Sequence, residues 1–186
     1  MRFGFLKLAA LAALVRVLTF NAYALSITPA TLPQYSGPEN SQSAINTAIA
    51  PYIGSAPLLY KGEVGGAEEG SLAGSYETTF SNSASDPTDA LIEYISGQYV
   101  GAPAWLLVKD GDANPGWYLF NLSTLGWNGT DDLVLTGFWP GKGAISHVSL
   151  YGTAVPDGAA TAALLGLGLI SLTMFSRKDR KSVANA

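Results

Sequence analysis

Side chains suited to catalysis are scarce in this chain. Its 186 residues include no Cys and one His, which excludes disulfides, thiolate metal sites, cysteine nucleophiles and clusters of histidine ligands. That histidine, His147, alternates with Ser149 along a predicted strand, so the two side chains share a face and a hydroxyl–imidazole pair is one interpretation. No nucleophile-elbow motif accompanies them, and a structural histidine is therefore favoured.

Oxygen-bearing side chains alternate at Asp110, Asp112 and Asn114, as they do at the start of a calcium-binding loop. The helix–loop–helix calcium motif requires Gly at its sixth position and Glu at its twelfth, where this chain has Pro115 and Asn121. Asp and Asn side chains also bond their own backbone in tight turns. A turn is thus the favoured interpretation, with a metal site as the alternative.

Paired carboxylates for glycoside hydrolysis would offer another route to catalysis. The acidic residues are spread along the chain, and no spacing singles out a pair. We therefore predict that the protein is not an enzyme, and we predict no cofactor. Hydrolysis by scattered carboxylates, or by Ser149 with His147, is the enzymatic alternative.

Tryptophans make the second half of the chain the best candidate for ligand binding. An exposed indole on a β-sandwich can stack on a sugar ring, although such side chains more often fill the core between the sheets. A lectin-like, carbohydrate-binding module is therefore an alternative function. Its candidate binding residues are Trp105, Trp117, Trp127 and Trp139.

The fold that must position these residues is predicted to be mainly β. Residues 41–53 have a serine cap and apolar side chains at helical spacing, and they predict one short helix. Later segments are rich in aromatic, β-branched or leucine residues and are separated by turn clusters. They predict an antiparallel, jelly-roll-like β-sandwich with strands at 58–63, 72–80, 90–95, 104–109, 116–122, 133–138 and 144–151.

Residues 1–24 are typical of a secretory signal peptide. Arg2 and Lys7 precede an apolar stretch, and small residues follow at Ala22 and Ala24. A signal peptidase is expected to cleave after Ala24. The exported domain is then predicted to span residues 25–154.

This predicted domain is much more acidic than the chain as a whole. Residues 25–154 contain three basic and twelve acidic residues, a net charge of −9, whereas the whole chain has a net charge of −4. Binding to nucleic acid requires a basic surface that neutralises phosphates. We therefore exclude nucleic acid as a partner.

Residues 155–186 are predicted to form a tail of three parts. A short motif is followed by 17 uncharged residues, 159–175, which as a helix would reach the lower length limit for crossing a bilayer. A basic cluster after them is expected to stay on the cytoplasmic side. The motif residues are Val155, Pro156, Asp157 and Gly158, and the cluster is Arg177, Lys178, Arg180 and Lys181.

This tail, VPDGAATAALLGLGLISLTMFSRKDRK, resembles the PEP-CTERM family of sorting tails, in its VPD-type (VPDSG-CTERM-like) variant. Ala159 departs from that variant, which usually carries Gly or Ser-Gly there. Residues 105–152, with VKDG, WYLF, WNG, FWP and GAISHVSLYG, are similar to a body segment of many PEP-CTERM proteins. The resemblance implies that an exosortase recognises the motif, in a Gram-negative bacterium that makes exopolysaccharide.

These features predict an exported, non-enzymatic protein of the cell surface or extracellular matrix. Its route would pass through an inner-membrane intermediate held by the C-terminal transmembrane helix. The implied partners are signal peptidase, exosortase, the membrane and, as a possible ligand, polysaccharide. Besides the carbohydrate-binding module, the alternative is a single-pass membrane protein whose tail is never processed.

Overall fold

The computed structural model describes residues 23–141, 143–158 and 165–166. The predicted signal peptide lies outside these residues up to and including Ala22. Most of the apolar segment 159–175 and the basic cluster at 177–181 also lie outside them. Within the described residues, no helix has the length and apolar character needed to cross a membrane.

The described ranges form nine strands and one helix. The helix, α1, spans Gln42–Ile53. The strands are β1 (Ala24–Ile27), β2 (Gln34–Gly37), β3 (Leu58–Glu63), β4 (Tyr76–Ser81), β5 (Asp89–Tyr94), β6 (Tyr99–Asp110), β7 (Trp117–Asn121), β8 (Asp132–Leu135) and β9 (Ile145–Val155).

These strands make two sheets. The four-stranded sheet has the order β1-β8-β5-β4, and the five-stranded sheet has the order β2-β7-β6-β9-β3. Neighbouring strands are antiparallel except β1 and β8, which run parallel. The prediction of a mainly β protein is confirmed, and two antiparallel-rich sheets are compatible with a β-sandwich.

One hydrophobic cluster includes side chains from both sheets. Ile92 and Leu133 come from the four-stranded sheet, and Leu106, Phe120 and Leu150 come from the five-stranded sheet; all are buried. Apolar residues on alternate strand positions thus turn toward a shared core. Removing this apolar surface from water is the main force that holds the two sheets together.

Helix α1 lies on the other face of the five-stranded sheet. It begins after Ser41, whose Oγ accepts a hydrogen bond of 3.3 Å from the backbone N–H of Ala44. Ile45 and Ile49 are fully buried, at one turn's spacing. They pack in a second cluster with Trp105, Leu107, Trp117, Leu119 and Tyr151. The prediction of one helix here is confirmed.

Each predicted strand overlaps an observed one, but β1 and β2 were not predicted. Both are four residues long, and the connection between them contains Pro29 and Pro33. Their pairing with β8 and β7 makes them the edges of the two sheets. Long-range pairing therefore determines these strands, because local propensity is weak there.

Strand connections cluster at one end of the two sheets, which we call the loop end. The β1–β2, β4–β5, β6–β7 and β8–β9 connections all lie there. Backbone hydrogen bonds join two of them: Phe138 N–H donates to Thr88 O at 3.0 Å, and Ile145 N–H donates to Pro87 O at 2.7 Å. Four connections thus converge on one surface.

The opposite end, which we call the terminal end, contains the start of β1 and the finish of β9. Val155 pairs with Tyr99, and Ala24 pairs with Asp132. Tyr76 links these regions, since its hydroxyl donates to Gly129 O and accepts from Val100 N–H, each at 2.7 Å. At about 3.3 Å per residue, β9 extends roughly 35 Å between the two ends.

Candidate functional site

A cleft of about 740 Å³ opens at the loop end. Side chains from all four connections line it, so that no single stretch of sequence defines it. Its size lies within the range usual for small-molecule sites. The lining residues are Thr28, Pro29, Ala30, Asn82, Asp89, Asn114, Pro115, Tyr118, Thr136, Gly137, Trp139 and Pro140.

Two residues of this lining have unusual backbone geometry. Asn82 has φ of 82° and Trp139 has φ of 49°, and they are the two non-glycine residues with positive φ in the described part of the chain. A side chain in this region costs about 1 kcal/mol or more, and such strain concentrates at functional sites. The coincidence of both residues in one cleft marks it as the candidate site.

Hydrogen bonds hold Asn82 in place. Its Nδ2 donates to Thr88 Oγ1 at 2.9 Å and to Asp89 Oδ2 at 2.8 Å. The second oxygen of Asp89 accepts from Gly137 N–H at 2.8 Å. This network ties the β4–β5 connection to the β8–β9 connection across the cleft.

Trp139 forms a rigid aromatic wall. Its Nε1 donates to Pro115 O at 2.7 Å, which joins the β8–β9 connection to the β6–β7 connection. Its ring lies 5.3 Å from Tyr118 and 5.7 Å from Phe138 between centroids. Tyr118 is half-buried and is the more accessible of the two lining rings.

Three polar groups of the lining are free to bind a ligand. Within the described residues, the side chains of Asn114, Tyr118 and Thr136 make no hydrogen bond, although all three line the cleft. An amide and two hydroxyls provide both donors and acceptors. Burial raises the pKa of Tyr118, so its hydroxyl keeps its proton near neutral pH.

Asp110 is a structural side chain of the β6–β7 connection. Its Oδ1 accepts from Asp112 N–H at 2.6 Å and from Ala113 N–H at 2.5 Å, while its Oδ2 accepts from Ala144 N–H. The residue is 1% exposed. Both of its oxygens therefore accept hydrogen bonds from the backbone.

The other two candidate metal ligands lie in different surroundings. Asn114 lines the cleft, whereas Asp112 is exposed at the loop end. No group of three or more His, Cys, Asp or Glu side chains able to hold a metal ion occurs among the described residues.

His147 is buried on the outer face of the five-stranded sheet, away from the cleft. It pairs in register with Lys109 and Glu63 and is 5% exposed. Burial, reinforced by the charges of Lys61 and Lys109, lowers its pKa to about 4. Among the described residues its Nε2 has no hydrogen-bond partner, the Ser149 hydroxyl included.

All four candidate sugar-binding tryptophans are buried. Trp105, Trp117, Trp127 and Trp139 are 7%, 3%, 8% and 7% exposed. The first two pack under α1 in the second cluster. Trp127 Nε1 donates to Asp131 O at 2.7 Å. Of the four, only Trp139 lines the cleft. The other three offer no exposed indole on which a sugar could stack.

The predicted sorting motif begins where β9 ends. Val155 is the last paired residue of that strand, and Pro156, Asp157 and Gly158 follow it. Burial and then the charge of Asp157 raise the pKa of Tyr94, the last residue of β5. Ala24, the predicted signal-cleavage residue, is also at this end.

No protein-family model, curated protein or solved structure matches this chain. The geometry therefore carries the functional inference. Sequence patterns identified Asn114 and Trp139 for other reasons but missed Asn82, Asp89, Tyr118 and Thr136. The one local signal among these was that Asn82 lies in a turn cluster. The cleft itself forms only when four separate connections meet.

Proposed function

We propose that this chain is an exported, non-enzymatic protein that is delivered to the cell surface or extracellular matrix by an exosortase-type sorting tail. The observation that carries the proposal is the direct passage of β9 into the motif at Val155. Pro156 cannot donate to a strand ladder, so the chain leaves the sheet there. Pro156 and Gly158, both exposed, then lie just past the last strand, within reach of a membrane-bound enzyme.

The positions of the two processing points support the same route. Ala24 and Val155 lie together at the terminal end, opposite the loop end. A body tethered through its C-terminal tail would hold the terminal end toward the membrane. The loop end, with its cleft, would then point outward.

The signal peptide and each part of the tail have separate tasks in this proposal. Signal peptidase removes residues 1–24, and the apolar segment 159–175 holds the body at the inner membrane. The basic cluster at 177–181 keeps the tail end inside. The exosortase then acts near Pro156 and Asp157, which releases the body for delivery.

Intact-mass measurement of the protein from its native host tests this proposal. We expect a mature species that lacks residues 1–24 and the basic tail. Asp157→Asn should slow the loss of the tail, whereas Asp112→Asn, an exposed aspartate outside the motif, should not. Retention of residues 159–186 in all of the protein would instead support an unprocessed single-pass membrane protein.

A carbohydrate-binding module is the second candidate function. The specific observation that favours it is the cleft, where the half-buried Tyr118 ring lies beside hydrogen-bonding groups that have no partner among the described residues. This candidate does not compete with sorting, since the tail would deliver the protein and the cleft would act after delivery.

A further inference from the structure

We propose that the cleft at the loop end binds a neutral sugar unit through Asn114, Tyr118 and Thr136, against the aromatic wall of Tyr118 and Trp139. The carbohydrate-binding function proposed above would then have a defined site and a ligand class. Only the outward orientation of the site rests on the proposed sorting route. Binding itself requires the cleft alone.

The chemistry of the lining matches a ring with many hydroxyls. One face of a sugar ring presents C–H groups, which pack on an aromatic ring, while its edge presents hydroxyls that both donate and accept. Tyr118, which is half-buried, offers the accessible ring, and the buried ring of Trp139 packs beside it at 5.3 Å between centroids. The Asn114 amide and the Thr136 hydroxyl offer hydrogen bonds that no described residue uses.

The cleft is also preorganised. Asn82 and Trp139 are held in positive-φ conformations by hydrogen bonds to Asp89 Oδ2 and Pro115 O, at 2.8 Å and 2.7 Å. Asp110 joins the β6–β7 connection to Ala144 in the β8–β9 connection. A site whose walls are already fixed loses less entropy when a ligand binds.

Charge favours a neutral sugar over an acidic one. Of the described lining residues, Asp89 is charged and none is Lys or Arg. The predicted exported domain has a net charge of −9, and this sum counts Lys142, which follows the lining residue Pro140 closely in the sequence. A uronic acid or sulfated sugar would be repelled by Asp89 and would find no cationic partner among the described lining residues. A single carboxylate is likewise too little to hold calcium, which takes six to eight oxygen ligands.

Calorimetric titration of the full chain tests the proposal, with the chain held in a detergent that has no sugar headgroup. The probes are neutral gluco-, galacto-, manno- and N-acetylglucosamine tetrasaccharides, with oligogalacturonate as the acidic probe. We expect at least one neutral probe to bind and oligogalacturonate to bind more weakly or not at all.

Two conservative variants locate the site. Asn114→Ala and Tyr118→Phe each remove hydrogen-bonding atoms and should weaken binding roughly three- to tenfold. Asn46→Ala and Tyr52→Phe, the matched controls on exposed positions of α1, should leave binding unchanged. Melting temperatures close to that of the unmodified chain would show that all four variants fold.

Several outcomes would overturn the proposal. These are failure of every neutral probe to bind, tighter binding of oligogalacturonate, and binding that both cleft variants leave unchanged. None of them bears on sorting, which the mass measurement tests separately. Conversely, retention of the tail would refute the sorting route and leave a positive titration standing.

Discussion

Asn82 and Trp139 line the same cleft from different strand connections, and each holds a positive-φ backbone that its side-chain hydrogen bonds maintain. Asn82 donates to Thr88 and Asp89, and Trp139 donates to Pro115. Two strained residues in one cleft point to a binding site more strongly than two strained residues at unrelated turns would. This relationship is the reason why we place the proposed sugar-binding site at the loop end.

The Asn82 network should contribute measurably to stability. Asn82→Ala keeps the unfavourable φ of 82° and loses both side-chain hydrogen bonds, so we expect it to lower the free energy of unfolding by about 1–2 kcal/mol. Asn82→Gly also loses the bonds but relieves the φ strain, and should cost less. Urea unfolding of both variants measures the difference. An alanine variant at least as stable as the glycine variant would contradict this account.

Asp110 should be essential to the loop end, whereas Asp112 should not. Asp110→Ala leaves three backbone N–H groups without their acceptor, and we expect a loss of about 3 kcal/mol in the free energy of unfolding. Asp112→Ala, at an exposed position, should change it by less than about 0.5 kcal/mol. Chemical denaturation compares the two variants.

The same region allows a test of the alternative that Asp110, Asp112 and Asn114 bind a metal ion. Because the backbone occupies the Asp110 oxygens, adding calcium or a chelator should leave the melting temperature of the unmodified chain unchanged. A rise of several degrees in calcium that Asp112→Ala abolishes would instead establish a metal site here.

His147 should make the fold less stable in mild acid. Burial, then Lys61 and Lys109, lower its folded pKa from 6.5 to about 4, against a smaller opposing effect of Glu63. Between these values the unfolded chain binds a proton that the folded chain does not, so stability falls as pH falls through this window. We expect this group to contribute a loss of about 2 kcal/mol between pH 7 and 4.5.

Comparison with His147→Leu isolates this effect from the carboxylates that titrate in the same range. Urea unfolding at pH 7 and pH 4.5 should show a smaller acid-induced loss for the leucine variant than for the unmodified chain. Equal losses would mean that His147 is not the group responsible.

The two hydrogen bonds of the Tyr76 hydroxyl should stabilise the terminal end. It is 2% exposed, and its hydroxyl bonds Gly129 O and Val100 N–H, both at 2.7 Å. Tyr76→Phe leaves these two backbone groups without their partner, and we expect a loss of about 2–3 kcal/mol in the free energy of unfolding. Tyr52→Phe, on the exposed helix face, is the control and should be near neutral. A Tyr76→Phe variant as stable as the control would refute this role.

Elements with strong local signals were predictable. Helix α1 follows from a serine cap and from Ile45 and Ile49 at helical spacing, and β3 follows from an apolar run between turn residues. By contrast, β1 and β2 lack such signals and form because β8 and β7 offer them unpaired edges. Similarly, β9 continues past Gly152 to Val155 because the first three residues of β6, 99–101, pair with residues 153–155 beyond a shift in register.

The sequence alone determined the mainly β class, the helix, and the absence of cysteine chemistry, because composition and periodicity are local properties. Its predictions of a signal peptide and a sorting tail rest on motifs of the same local kind. Tertiary structure decided which side chains of the candidate sites are accessible. It buried four tryptophans and Asp110, and it brought Asn82, Asn114 and Tyr118 to one cleft. These outcomes depend on contacts between segments far apart in the chain, which no local pattern of residues encodes.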